Sequence, residues 1–320
     1  MGYNRRIKIR REVHCLMDAL IQSLVQANFA PERIAPQASM AQYTTLRIGG
    51  PAEVMVNIHS ADEIAVALRA AKQADAPVTI IGNGSNLLVR DGGIRGLVLR
   101  ISGGLNAIRR EGDCLLVQAG ASLAAVAAFA RDEGLSGMAE LGGIPGTVGG
   151  GVLMNAGAYG AELAQLVTQA ESVSLSDGRR VIYPADRLDF AYRHSALMDA
   201  GVVITQATLA LTPGDPEAIR ARMEECAKAR REKQPLTLPS AGSTFKRPEG
   251  HFAAKLIDDC GLRGLTVGGA QVSEKHAGFI VNIGGATARD MLELMRQVEQ
   301  RVFEQTGVQL EPEVRILGED

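Results

Sequence analysis

Six positions in this chain carry side chains that could do chemistry, and none comes with a signature that says which chemistry. Ser243, in Ala241-Gly242-Ser243-Thr244-Phe245, could act as a nucleophile or as a proton donor. Gly242-Ser243 is not G-x-S-x-G, so the elbow that presents a hydrolase serine is missing. Arg193, in Tyr192-Arg193-His194-Ser195, could hold an anion, or lie as a surface cation over apolar rings. Glu313, in Leu310-Glu311-Pro312-Glu313-Val314, could be an acid in a site or a solvent-facing residue of a terminal strand. Lys233, Lys275 and His276 read by default as part of a solvated face.

The loudest signal is backbone rather than side chain. Between residues 142 and 160 there are eight glycines and no charge. Glycine loses more freedom on folding than any other residue, so a cluster of them needs a reason. Positive-φ turns are one. The other is a backbone bare enough for its N–H groups to close on an anion, as in phosphate-cradling loops. A second such loop, Gly82-Asn83-Gly84-Ser85-Asn86, follows the short apolar run Val78–Ile81. Two loops suit a long, diphosphate-bearing ligand. Tight turns and helix–sheet packing account for glycine spacing as well. Leu87 stands where the third glycine of G-x-G-x-x-G would fall, which disfavours an ordinary Rossmann dinucleotide site.

Periodicity predicts the elements that must position these residues. Val13, Leu16, Met17, Leu20, Leu24 and Val25 recur at helical spacing and end before Pro31. Ser60 caps a helix running to about Ala74, and Ser122 caps another, Leu123 to Arg131. Arg47 to Val56 reads as a turn running into a strand, and further strands are expected at Val78–Ile81, Gly96–Ile101, Cys114–Ala119, Glu171–Leu175, Arg180–Tyr183 and Val202–Leu211. Pro213-Gly214-Asp215-Pro216 reads as a boundary. Beyond it come helices at Pro216–Lys233, Ala253–Cys260 and from Thr287 to Gly307. Strands are expected at Ala277–Asn282 and Val308–Leu317.

Composition excludes several classes. A formal net charge of −2 over 320 residues argues against general nucleic-acid binding, which needs a basic face. The basic start, Met1 to Arg11, is followed by no apolar signal core, and no apolar run approaches a membrane span. Cys15, Cys114, Cys226 and Cys260 are far apart and the five histidines are scattered. A metal site is therefore not expected, and the thiols read as those of a cytoplasmic protein. Spacing alone leads to a multidomain nucleotide-type binder, read as an enzyme, and stops there.

Seven motifs in order carry it further. They are Thr44-Thr45-Leu46-Arg47-Ile48-Gly49-Gly50-Pro51, Gly82-Asn83-Gly84-Ser85-Asn86-Leu87-Leu88 and Gly142-Gly143-Ile144-Pro145-Gly146-Thr147-Val148-Gly149-Gly150, then Asn155-Ala156-Gly157-Ala158-Tyr159-Gly160. Tyr192-Arg193-His194-Ser195, Ala241-Gly242-Ser243-Thr244-Phe245-Lys246 and Leu310-Glu311-Pro312-Glu313-Val314-Arg315 complete the set. Over roughly residues 40 to 318 the chain resembles the MurB family of UDP-N-acetylenolpyruvoylglucosamine reductases, flavoenzymes of bacterial cell-wall precursor synthesis.

The resemblance implies an α+β chain: an FAD-binding fold of the vanillyl-alcohol-oxidase type plus a C-terminal α+β substrate domain. It implies a division into an N-terminal extension over 1–37, an FAD-binding domain over 38–212 and a substrate domain over 213–320 with a returning terminal strand. The FAD-binding domain would have subdomains of about 38–100 and 101–212. Non-covalent FAD would be held by Arg47, Gly82, Asn83, Gly84, Ser85, Asn86 and Leu87, by Gly142, Gly143, Ile144, Pro145, Gly146, Thr147, Gly149 and Gly150, and by Asn155, Ala156 and Gly157. NADPH would be the co-substrate and UDP-N-acetylglucosamine enolpyruvate the acceptor. Arg193, Ser243 and Glu313 would be catalytic, with Tyr192, Lys233 and His276 on the substrate. Gly278 and Arg247 depart from asparagines that relatives carry, and the short Glu249–Phe252 link lacks the insertion of the longer MurB branch. The competing readings are an alcohol oxidase on the same flavin fold and a flavin-free sugar-nucleotide binding protein.

Overall fold

The computed structural model describes residues 17–320. The basic tip, Val13, Cys15 and Leu16 lie outside the described residues. The first helix is seen over residues 17–26. It buries Leu20 and Leu24 one turn apart, whereas Val25, expected on the same face, is exposed.

The described chain forms two compact units, each discontinuous in sequence. The first takes residues up to Ala38, Ala52–Gly82 and Arg95–Met223. One of its sheets has the strand order Ile34–Ser39, Pro51–Asn57, Ile94–Arg100, Val78–Ile81. The last two run parallel, with Ile81 opposite Arg100. The helix Ala61–Gln73 lies between the strands Pro51–Asn57 and Val78–Ile81 in the chain. Ser60 Oγ accepts from the Glu63 N–H at 3.3 Å, as its position before the helix requires. The other sheet is antiparallel, in the order Arg180–Pro184, Val167–Ser174, Val202–Ala210, Cys114–Gln118, Ile108–Glu111. Alternating Leu115, Val117, Ala207 and Leu209 turn inward. They share one core with Val126, Val148 and Val152 of the helices Leu123–Asp132 and Val148–Leu153.

The second unit takes Ser39–Pro51, Asn83–Ile94 and Glu224–Asp320. Its antiparallel sheet Thr266–Val267, Ala270–Val272, Ile280–Asn282 is covered by the helix Ala288–Thr306. Met291, Leu294, Met295, Val298 and Val302 are buried along one side of that helix, at the spacing the sequence predicts. Its start has a full capping box between Thr287 and Asp290, and Gly307 ends it at φ +72°. Asp91 adds a cap from far away in sequence, its carboxylate accepting from the N–H groups of Ala288 and Arg289 at 2.8 and 3.1 Å. Leu87–Val89 pairs in parallel with Arg315–Leu317. The long terminal strand expected from Val308 is thus only three residues, because Pro312 cannot donate to a ladder. The strand expected from Ala277 likewise begins only at Ile280.

Pro213 lies within a two-residue strand, Thr212–Pro213, paired with Leu135–Ser136. The chain passes from one unit to the other inside the helix Pro216–Lys233, after Met223.

Candidate functional site

In the first unit Gly82 lies against Thr147 of the glycine-rich segment. A Cβ placed on Gly82 would lie 2.6 Å from Thr147 Oγ1, so any side chain at 82 would occupy that space. Ser102 Oγ donates to the Gly82 carbonyl at 3.1 Å and fixes the loop from outside. Thr147 is also the N-cap of Val148–Leu153, accepting from the Gly150 N–H at 3.4 Å.

Not every glycine here is free to serve an anion. The N–H groups of Gly142, Gly146 and Gly149 donate to Met138, Ile144 and Ala119 carbonyls. A Cβ on Gly142 would stand 2.7 Å from the Ala127 Cβ, one on Gly149 2.9 Å from that of Ala119, and one on Gly151 2.8 Å from Leu163 Cδ1. Those three are demanded by close packing of helix on sheet. The packing explanation of glycine spacing therefore holds for part of the segment.

The first loop differs. Asn83, Gly84 and Ser85, in the second unit, donate their N–H groups to no backbone oxygen among the described residues. Gly84 is buried at φ +62°, where a Cβ would fall 2.1 Å from the Tyr43 carbonyl oxygen. The Thr45 N–H donates to the Gly84 carbonyl at 3.3 Å. Consecutive undonated amides on a bare, fixed backbone are the donor set that a diphosphate needs. These residues fit the phosphates of FAD.

Arg193 belongs to the first unit and sits on a tight turn. Ala191 and His194 exchange backbone hydrogen bonds of 3.2 and 3.1 Å, with Arg193 at φ +54° between them. Its guanidinium lies 5.0 Å from the centroid of the Tyr192 ring, which is 49% exposed. Contact with the ring, offered by the sequence as the bland alternative, is thus present. Asn155 is wholly buried, and its side chain bonds to Glu162, Ala164 and Ala191. The Ala156 N–H is likewise committed, to the Gly151 carbonyl at 2.8 Å.

Ser243 and Glu313, 70 residues apart in sequence, are neighbours in the second unit. Thr244 makes the join. Its carbonyl accepts from the Glu313 N–H at 2.8 Å, its N–H donates to the Gly278 carbonyl at 2.9 Å, and its Oγ1 accepts from the Ile280 N–H at 3.0 Å. Phe245 bridges Pro312, and the Lys246 N–H donates to the Glu311 carbonyl at 2.8 Å. Gly242, at φ +78°, turns the chain so that Ser243 is exposed while Thr244 is buried. Asn86 of the first glycine loop reaches the same segment, donating from Nδ2 to the Glu313 carbonyl at 3.1 Å. Thr45 Oγ1 donates to the Ser240 carbonyl at 2.7 Å. One hydroxyl, one carboxyl and the diphosphate-type loop therefore share a single backbone network.

The phosphate-contact candidates are more scattered. His276 packs edge-on against Phe279, centroids 5.0 Å apart, and its Nδ1 accepts from the Gly278 N–H at 3.2 Å. Burial pushes its pKa below the ordinary 6.5, and the charge of Arg263 adds to the shift. The ring is thus neutral with Nε2–H as its donor. A Cβ on Gly278 would stand 3.0 Å from the Ala254 Cβ and 3.1 Å from His276 Cε1, so an asparagine there would displace the histidine. Lys233 is exposed at the end of its helix, while Lys275 Nζ donates to the Arg231 carbonyl at 2.5 Å. Arg247 stacks over Phe252 at 4.8 Å. Among the described residues no group of three His, Cys, Asp or Glu side chains could hold a metal, and no helix is long and apolar enough to cross a membrane.

Thr244, Thr45 and the Asn86–Glu313 link were invisible to residue chemistry. Their only sequence signal is membership of the ordered motifs, because a threonine that ties backbones together looks like any other.

Comparison with known proteins bears on the whole length. Residues 234–317 match the family model of the C-terminal domain of UDP-N-acetylenolpyruvoylglucosamine reductase, and residues 52–182 match an FAD binding domain. The reductase of Pediococcus pentosaceus is 47% identical over 299 residues, which cover 93% of this chain and 99% of that one. The reductase of Agathobacter rectalis is 49% identical over 292 residues, covering 88% and 92%. The crystal structure of MurB from Thermus caldophilus superposes with a TM-score of 0.75 at 38% identity, covering 87% of this chain and 97% of that one.

Proposed function

Because the chain belongs to the UDP-N-acetylenolpyruvoylglucosamine reductase (MurB) family, an FAD-dependent group of oxidoreductases, we propose the division of labour among its residues. The substrate is UDP-N-acetylglucosamine enolpyruvate, the product UDP-N-acetylmuramate, and NADPH the electron source. Bound FAD supplies the hydride chemistry that no side chain offers. The amides of Asn83, Gly84 and Ser85 form the diphosphate cradle.

Hydride addition to the terminal carbon of an enolpyruvyl group leaves negative charge next to its carboxylate. Charge that develops only in the transition state is best met by donors already in place. Arg193 supplies a cation for that carboxylate and Glu313 a partner acid. Ser243 Oγ gives the proton to the carbon. A serine hydroxyl is a weak acid in water, but a carbanion is a far stronger base, so the transfer runs downhill. His276, as a neutral donor, and Lys233 serve the substrate diphosphate, and Tyr192 the substrate near Arg193. The reaction belongs to cytoplasmic synthesis of the cell-wall precursor. Neither the alcohol oxidase nor the flavin-free binder is favoured by the family.

The observation that carries this reading is the 2.8 Å hydrogen bond from the Glu313 N–H to the Thr244 carbonyl, which sets the Glu313 segment beside Ser243. Anaerobic stopped flow tests it, with NADPH first and the enolpyruvyl sugar nucleotide second. Ser243→Ala should leave flavin reduction intact and slow reoxidation by about 10²- to 10⁴-fold, the range of a lost general acid. Near-normal reoxidation would remove Ser243 from the role.

A further inference from the structure

We infer that Asn155 is a positioning residue for Arg193 and not a contact of the cofactor; the inference rests on the reading of Arg193 above and deepens it. A carboxamide has two N–H donors and one acceptor oxygen. In Asn155 the donors go to Glu162 Oε2 at 3.2 Å and to the Ala191 carbonyl at 3.1 Å, while Oδ1 accepts from the Ala164 N–H at 2.9 Å. The residue is 0% exposed. Both of its hydrogens are spent inside the protein, and no surface is left to offer a ligand.

What these bonds hold is the turn that bears the guanidinium. Ala191 opens that turn and His194 closes it. Arg193 within it is left-handed at φ +54°, a conformation that costs a residue with a Cβ and persists only where the surroundings impose it. Two side-chain hydrogen bonds impose it. Asn155 Nδ2 grips the carbonyl at the start, and Ser195 Oγ, just past the end, donates to the Leu153 carbonyl at 2.8 Å. Both anchor points, Leu153 and Asn155, flank Met154 at the end of the helix Val148–Leu153, which packs on the strand Val202–Ala210. The carboxylate of Glu162 strengthens the grip, because a bond to an ionised acceptor is stronger than one between neutral groups. Arg193 is thereby referred to a rigid helix end instead of riding on a loop.

The test uses the FAD-loaded enzyme. Asn155 is at φ +42°, so Asn155→Gly removes the carboxamide while the backbone keeps a conformation glycine accepts. The variant should hold a full complement of FAD and be reduced by NADPH at the parent rate. Its reoxidation by the enolpyruvyl sugar nucleotide should be about ten- to a hundredfold slower, the scale of a misplaced catalytic group. On an Arg193→Ala background the same change should add less than about twofold, since residues acting as one unit do not add. Ser195→Ala, which loosens the other end of the turn, should slow the same half-reaction less. Loss of FAD or slower reduction in Asn155→Gly would make it a cofactor contact and overturn the proposal, as would full additivity with Arg193→Ala. Should Asn155→Gly not fold, unchanged reoxidation in Ser195→Ala would refute the anchored turn. If Arg193→Ala itself reoxidises normally, the reading of Arg193 has failed. If Arg193→Ala is slow and Asn155→Gly is not, only the positioning claim has.

Discussion

The Arg193 turn and the Ser243–Glu313 pair are held in place by different balances of backbone and side-chain bonds. Around Ser243 and Glu313 the register comes from backbone joined to backbone: Thr244 to Gly278 and Glu313, and Lys246 to Glu311. No residue from Ser243 to Arg247 has positive φ, and the one left-handed position, Gly242, is a glycine. Around Arg193 the register comes from side chains, and Asn155, Tyr159 and Arg193 itself are all left-handed without being glycine. The difference predicts how each region fails. A backbone network survives the loss of the reactive side chain it displays. A turn pinned by carboxamide and hydroxyl loses its geometry when either is cut.

The largest expected effect lies at the first glycine loop, which is joined to the backbone-held region through Thr45 and Asn86. Gly84→Val must place a branched side chain at φ +62° against the Tyr43 carbonyl, and the protein should purify without FAD. A yellow Gly84→Val with full occupancy would sink the cradle. Next come Arg193→Ala and Glu313→Ala, each expected to cost about 2–4 kcal/mol of transition-state stabilisation, read from reoxidation rates. The comparison sharpens in their stability. Glu313→Ala should leave the thermal midpoint in place because its backbone bonds remain, and a large fall would show that the side chain helps hold that strand.

Thr244→Val is smaller and strikes the backbone network directly. It leaves the buried Ile280 N–H without its acceptor, a loss of about 1–3 kcal/mol in denaturant unfolding. Thr244→Ser should recover most of it. A neutral Thr244→Val would mean that backbone pairing alone suffices. Smallest is the acid response of His276. Its folded pKa is lowered below 6.5 by burial, so the unfolded chain binds the extra proton first. Stability is unaffected well above pH 6.5 and declines as pH falls from there toward the depressed folded value. His276→Gln should flatten that decline, and equal acid sensitivity in both proteins would assign it elsewhere.

Much of this was legible in the residues, for local reasons. Ser60, Ser122 and Thr287 cap the helices they precede because a hydroxyl at that position meets the N–H three residues on, whatever surrounds it. The stripe from Met291 to Val302 faces inward because 3.6 residues make a turn. Harder to read was the end of the chain. Val308 to Leu317 looks like one strand, but it pairs with two different partners: Pro312 bridges Phe245, and only Arg315–Leu317 forms a strand, against Leu87–Val89. The glycine-rich segment hid two populations. Spacing cannot separate Gly149, whose N–H is spent on the Ala119 carbonyl, from Gly84, whose N–H donates to no backbone oxygen among the described residues.

The order of types along the chain determined by itself which helices form, where they stop, and that two bare loops and a serine, an arginine and a glutamate exist to be used. Those are properties of neighbours within a few residues. Only the tertiary structure decided that the Glu313 segment is bonded to Thr244 beside Ser243, that Asn86 ties the first loop to it, and that Asn155 spends its amide on the Arg193 turn. Each of these is a hydrogen bond between groups 36 to 227 residues apart. The cost of bringing such groups together is met by burial of the whole core, a sum over the chain that no local window contains.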